Sequence, residues 1–200
     1  MCNLYTQTKS VDEVAAIFRD LQIPLVFPEG APNLAPRDIA ITDPAPIVRA
    51  GAGRDGYELV VRRWSWPGPH GKPVYNFRSD GREFSSGRCL ILTDGFYEFT
   101  APADPKAKRK DRWLFTLPDG GPVGIAGLVR TVPDIGEAFT MLTTEPGPDV
   151  APYHSRQVAL IAQADWKAWL DHSTPARDLI GPLAAGSLTV QSAMAQPNLL

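Results

Sequence analysis

The chain has 200 residues, of which 44% are hydrophobic and 21% charged, and its formal net charge is −2. That is an ordinary globular composition for one domain, and the charge balance neither demands nor excludes a nucleic-acid partner. Two cysteines exclude a disulfide framework, no CxxC pair points to zinc, and no apolar run is long enough to span a bilayer.

Seventeen glycines and 20 prolines predict many turns and short elements. The start of the chain lacks the basic-then-apolar pattern of a signal peptide, so a reducing, cytoplasmic setting is expected. Ser10-Val11-Asp12-Glu13 has capping-box spacing and opens an amphipathic helix from Val11 to Leu21, with Val14, Ile17, Phe18 and Leu21 on one face. Pro24, Pro28, Pro32 and Pro36 then forbid regular helix through Arg37. From Tyr57 onward the pattern is that of strands. Tyr57 to Trp66 is β-rich, and period-two spacing would put Trp64 and Trp66 on one face. Arg88 to Phe99 is a long apolar run broken at Thr93-Asp94-Gly95. Trp113 to Leu117, Val123 to Val129, Ala138 to Thr144 and Gln157 to Ile161 are further strands. Asp165 to Leu170 begins a second helix. Thr174-Pro175 predicts a cap and a third helix through Ala184, and Ser187 to Ala193 a last strand. The expected class is α+β: a mainly antiparallel β-sheet, barrel-like core with a few short peripheral helices, in one domain over residues 1–200. No internal repeat or linker is present.

Lys106 to Arg112 holds five basic residues in seven positions. This reads as a solvated hairpin loop or, more sharply, as a loop that faces nucleic acid. Cys89 lies in an apolar strand and is expected to be an inert, buried thiol. His70 and His172 fall in turn-like or helix-end positions and receive no role.

Met1-Cys2 carries unusual chemistry. Removal of Met1 leaves an amine and a thiol two carbons apart, with ordinary pKa values of about 7.7–8.0 and about 8.5, so both are partly nucleophilic near neutrality. The amine can condense with an aldehyde to an imine, and the thiol can then close a five-membered thiazolidine. By itself a second-position cysteine is more often incidental.

Support comes from separated segments: Met1-Cys2, Asn33-Leu34-Ala35-Pro36, Tyr75-Asn76-Phe77-Arg78-Ser79-Asp80, Asp94-Gly95-Phe96-Tyr97-Glu98-Phe99 and His154-Ser155-Arg156. In this order and spacing the chain resembles the SRAP (SOS response-associated peptidase) family of abasic-site processing proteins, over nearly its whole length. The resemblance implies that Cys2 is the nucleophile toward the ring-opened aldehyde of an abasic deoxyribose. It implies that Asn76 holds the cysteine amine and the sugar, that Glu98 is the catalytic carboxylate and that His154 is the active-site histidine. Arg78 and Arg156 would grip phosphates flanking the lesion, Asn33 and Pro36 would lie beside the DNA, and Trp64 would lie near the bound strand. Independently of the resemblance, aromatics near such a groove, Trp64 and Phe99, suit stacking on a neighbouring base. The implied partner is single-stranded DNA carrying an abasic site, or a single-strand/duplex junction. No cofactor, metal or membrane is implied, and the protein is expected to be a monomer.

The residue types suit that chemistry. A carbinolamine must lose water, which a tuned carboxylate can assist. Histidine titrates near neutrality, and the arginine fork binds phosphate oxygens in pairs. The same residues have plainer readings. Glu98 suits a solvent-facing strand position, His154 a loop, Asn76 a turn, and Trp64 a core site. The chain also departs from the family. Asn3-Leu4-Tyr5 stands where many members have Gly-Arg after the cysteine, Asp80 stands for a frequent Glu, and Gln157-Val158 stands for Met-Pro. Two other functions compete: an N-terminal-nucleophile peptidase, and a non-covalent single-strand-binding module using Arg78, Arg156 and the basic loop.

Overall fold

A computed structural model describes residues 2–51 and 56–193. The chain runs β1 (Leu4–Gln7), α1 (Val11–Asp20), β2 (Leu25–Val26), β3 (Arg37–Ala40), β4 (Pro44–Ala50), β5 (Tyr57–Trp64), β6 (Trp66–Pro67), β7 (Pro73–Val74), β8 (Asn76–Arg78), β9 (Arg88–Thr93), β10 (Gly95–Thr100), β11 (Asp111–Thr116), β12 (Val123–Val132), β13 (Gly136–Thr144), β14 (Gln157–Val158), β15 (Leu160–Ile161), α2 (Trp166–Leu170), α3 (Ala176–Leu179) and β16 (Thr189–Ser192). Among the described residues no helix is long and apolar enough to cross a membrane.

Five strands close into a ring. β13, β12, β9, β4 and β5 pair in that order, all antiparallel, and β5 returns to β13 through a short parallel contact, Ala138 to Arg63 and Phe139 to Trp64. β8 then runs along the same edge of β13, with Asn76 opposite Met141 and Arg78 opposite Thr143. A second sheet has the order β16-β11-β10-β1-β3. This is the α+β, mainly antiparallel architecture expected from the sequence.

Strand alternation sorts the core into two layers. Ile47, Val60, Ile91, Ile125, Phe139 and Met141 of the ring pack with Tyr5, Ile39, Phe96 and Phe115 of the second sheet. Their neighbours Val48, Leu59, Leu90, Leu92, Ala126 and Leu142 face the other way, onto Val14 and Phe18 of α1 and Trp166, Trp169 and Leu170 of α2. Gly124 shows how closely α2 sits. A Cβ there would lie 2.4 Å from Trp166 Nε1. Gly124→Ala is therefore expected to cost about 1–3 kcal/mol by overpacking, read as a lower urea midpoint at an unchanged slope.

α1 begins as its capping box requires. The Ser10 hydroxyl accepts from Glu13 N at 3.3 Å, and the Glu13 carboxylate accepts from Ser10 N at 2.8 Å. The Thr93-Asp94-Gly95 break separates β9 of the ring from β10 of the second sheet. Asp94 fixes this corner by accepting from Thr8 and by pairing with Lys9.

The third helix is a correction. It spans only Ala176–Leu179 rather than reaching Ala184, because Ile180 is already extended and Gly181-Pro182 follows. Its first N–H is met by Glu83, which accepts from Ala176 N at 2.8 Å, and not by a Thr174 side chain. The tryptophan pair is a second correction. Ser65 has φ +87°, which breaks the alternation, so Trp64 enters the ring core and Trp66 packs separately with Val132 and Ala138.

Candidate active site

The first described residue is set between β8 and β10. β1 pairs with β10, Tyr5 opposite Phe96, and this carries Cys2 to the edge of the ring. Asn76 Nδ2 donates to the Cys2 carbonyl at 2.7 Å, and the Cys2 thiol donates to Leu4 O at 3.2 Å. The Cys2 backbone acts electrostatically on the Glu98 carboxyl. Cys2 and Glu98 are each only 1% exposed. Three residues from three distant segments thus meet in one buried place.

Burial sets the electrostatics. Loss of water pushes the Cys2 thiol up to about 12, and the nearby Glu98 charge adds to the effect. Loss of water likewise pushes the Glu98 carboxyl up to about 7. A carboxyl so placed can give and take a proton near neutral pH. The Asn76 Oδ1 is buried and has no hydrogen-bond partner among the described residues, so it offers an acceptor at the same place.

His154 lies on the segment between β13 and β14. Its neighbour Tyr153 packs on Trp113, with ring centres 4.9 Å apart, and Trp113 is the register partner of Glu98 on β11. Burial lowers the His154 pKa. The His154 Nδ1 sits 3.0 Å from Arg156 N and 3.1 Å from Arg156 O. The neutral ring accepts from the N–H and the protonated ring donates to the carbonyl, so one turn serves both states.

The other expected residues are placed variously. Asn33 and Pro36 are exposed on the segment leading into β3, the neighbour of β1 on the side away from β10. Arg78 is exposed at the end of β8, two residues from Asn76, and Phe99 is half-buried beside Glu98. Arg156 turns inward. Its Nη2 donates to Thr143 O at 2.8 Å and pairs with Asp80 at 2.6 Å, so a phosphate would have to replace Asp80 there. Thr143 was not foreseen. Its carbonyl also accepts from Ser79 N and Ser79 Oγ, joining β8, β13 and Arg156, and nothing in a strand-like Leu-Thr-Thr run signals that role.

Trp64 is a correction. It has 0% exposure, donates to Tyr75 O at 3.0 Å and packs edge-on against Tyr5 at 5.2 Å. No face remains for a base to stack on. Its hydrogen bond instead anchors the residue before Asn76. Trp64→Phe is expected to lower stability by about 1–2 kcal/mol through the lost bond and volume. Binding of an undamaged oligonucleotide by the folded variant should be unchanged. An affinity loss measured on fully folded protein would return Trp64 to the binding surface.

Met1 lies outside the described residues. Among the described residues no group of three or more His, Cys, Asp and Glu is gathered to hold a metal ion.

Comparison with known proteins gives a consistent picture. Residues 1–194 match the SOS response associated peptidase (SRAP) family. No curated protein matches the sequence. Solved structures of similar fold include a protein from Bordetella bronchiseptica, 21% identical, with a TM-score of 0.70 over 97% of this chain and 100% of that one. A protein from Bacteroides thetaiotaomicron is 16% identical, with a TM-score of 0.68 over 96% of this chain and 91% of that one. A phage-related protein from Bordetella bronchiseptica is 18% identical, with a TM-score of 0.70 over 98% and 95% of the two chains. At these identities the likeness is one of fold.

Proposed function

Given that the chain belongs to the SOS response associated peptidase family, we propose that, once Met1 is removed, Cys2 captures the aldehyde of an abasic site in single-stranded DNA as a thiazolidine. The observation that carries this reading is the burial of Cys2, held by Asn76, together with the Glu98 carboxylate whose charge acts on its thiol. Hydrolysis of the Met1-Cys2 bond turns the Cys2 nitrogen from an amide into an amine beside this carboxyl. Glu98 can protonate it as it leaves Met1 and deprotonate it before it attacks.

The steps follow from the groups present. The Cys2 amine adds to the aldehyde carbon and gives a carbinolamine. Glu98 donates a proton to the departing hydroxyl, water leaves, and an imine forms. The Cys2 thiol then adds to the imine carbon, and its proton passes to the nitrogen. One aminothiol and one aldehyde become one thiazolidine and one water. A thiol held as S–H by burial suits this order, with the amine first and the sulfur second. Asn76 holds the Cys2 carbonyl, and its free Oδ1 can accept from the amine or a sugar hydroxyl. Neutral His154 can pass a proton at the opening sugar ring. Arg78 is the exposed cation closest in sequence to this machinery and suits a flanking phosphate.

The same pairing of Cys2 with Glu98 fits self-cleavage by an N-terminal-nucleophile peptidase. Self-cleavage and aldehyde capture are compatible; turnover of added peptides separates a stand-alone peptidase from a capture protein. A non-covalent module would bind strands regardless of lesion and of Cys2. The test is direct. Intact mass should show loss of the initiator methionine, and an oligonucleotide with one abasic site should give an adduct that survives a denaturing gel. Correctly trimmed protein that gives no adduct would overturn the proposal.

A further inference from the structure

The turn joining β10 to β11, residues 101–110, springs directly from the site. Thr100 pairs with Asp111, Phe99 with Arg112 and Glu98 with Trp113, so Glu98 is the third pair from the turn. At roughly 3.3 Å per residue that is about 7 Å. The turn is built rather than loose: Ala103 N donates to the Asp111 carboxylate at 3.0 Å, and Lys106 N to Asp104 at 2.9 Å.

Its tip holds four cations, Lys106, Lys108, Arg109 and Lys110, all exposed. None of the four makes an ion pair among the described residues. The fifth basic residue of the run behaves differently. Arg112 lies over the Tyr97 ring, donates to Ala193 O and faces Asp38 at 3.6 Å. Arg112 is thus used inside the fold, while four like charges stand together in water without an ion pair among the described residues, with only Asp104 and Asp111 as acidic neighbours at the same turn. Such a group creates a positive field that attracts an extended polyanion, and ordinary salt screens it in its absence. The Lys110 charge also acts on the His154 imidazole.

We infer that the 101–110 turn is a phosphate clamp that grips the captured strand on one side of the reacting sugar, through Lys106, Lys108 and Arg109 above the Glu98 end of β10. This rests on the capture reading above. It adds a direction: the strand is held more firmly on one flank of the lesion than on the other.

The test uses the full chain with Lys106→Gln, Lys108→Gln and Arg109→Gln together. Lys110 is kept because its charge reaches His154. The melting temperature should be unchanged. For an undamaged single strand, the slope of log affinity against log salt should fall by about 2, at ~0.7 per lost phosphate contact. Two abasic oligonucleotides, one extended only 5′ and one only 3′ of the lesion, give the second readout. Below saturation, the triple variant should form adduct several-fold more slowly with one of them and at the wild-type rate with the other. An unchanged salt slope overturns the clamp and leaves the turn to a partner other than nucleic acid. Equal slowing with both oligonucleotides also overturns it, since that is a diffuse field without direction. Failure of the wild type to form any adduct would count against the capture chemistry alone, because the salt slope is measured on an undamaged strand.

Discussion

Cys2→Ala is expected to remove the gel-stable adduct completely while leaving a reversible one. Alanine keeps the amine, and the Asn76 contact goes to the backbone of residue 2 and not to its sulfur. Imine formation should therefore persist. What is lost is the thiol that closes the ring, so hydrolysis returns the imine to amine and aldehyde. The adduct should reappear when borohydride is present during incubation, and only then. Cys2→Ser should behave in the same way, since a hydroxyl is a poorer nucleophile toward an imine than a thiol. A borohydride-independent, gel-stable adduct from the alanine variant would show that ring closure is not what traps the strand.

Glu98→Gln is expected to slow adduct formation by about 10²–10⁴-fold, the usual worth of a positioned acid–base group. It should also stabilise the fold above neutral pH. The folded carboxyl titrates at about 7, above the ordinary 4.5. Below the ordinary value both folded and unfolded chains carry the proton, and glutamine makes little difference. As pH rises from 4.5 toward 7 the unfolded chain ionises first, so stability is lost across that window. Above it the full cost is about 3 kcal/mol. Glutamine cannot ionise and escapes this cost. Urea midpoints should therefore be alike at pH 4 and higher for the variant at pH 8. A variant no more stable than wild type at pH 8 would mean that the charged form is fully compensated in the folded state.

Much of the fold is legible where local chemistry is strong. Ser10 and Glu13 announce α1, and Thr93-Asp94-Gly95 announces the corner between the two sheets. β1, β3 and β4 are not legible, each for its own reason. β3 is an edge strand with Ile39 as its one buried residue. β4 carries Pro44 and Pro46 and looks unfit for a sheet interior. Its link to β9 runs only through Val48 and Arg49, however, so the prolines need no partner on that side. β1 is four residues long and takes its place from β10 and β3. In the candidate site, Cys2, Asn76 and Glu98 are legible as motif residues, but only their meeting in one buried place gives the motifs a shared chemistry. Trp64 misleads because an aromatic that anchors a neighbour reads like one that meets a ligand. The inward turn of Arg156 has no signal either, since its partner Asp80 is 76 residues away in sequence.

The placement of β1 has a consequence during synthesis. Its partner β10 lies about 90 residues further along the chain. At about 5–20 residues per second the ribosome needs roughly 5–20 s to make the intervening chain. Throughout that interval the first residues have no strand to dock against and stand open to any trimming enzyme near the exit tunnel. Once β10 forms, the same residues are drawn into the interior. The nascent chain thus has a brief period in which trimming enzymes can reach its beginning, after which the protein's own carboxylate is in position to act there.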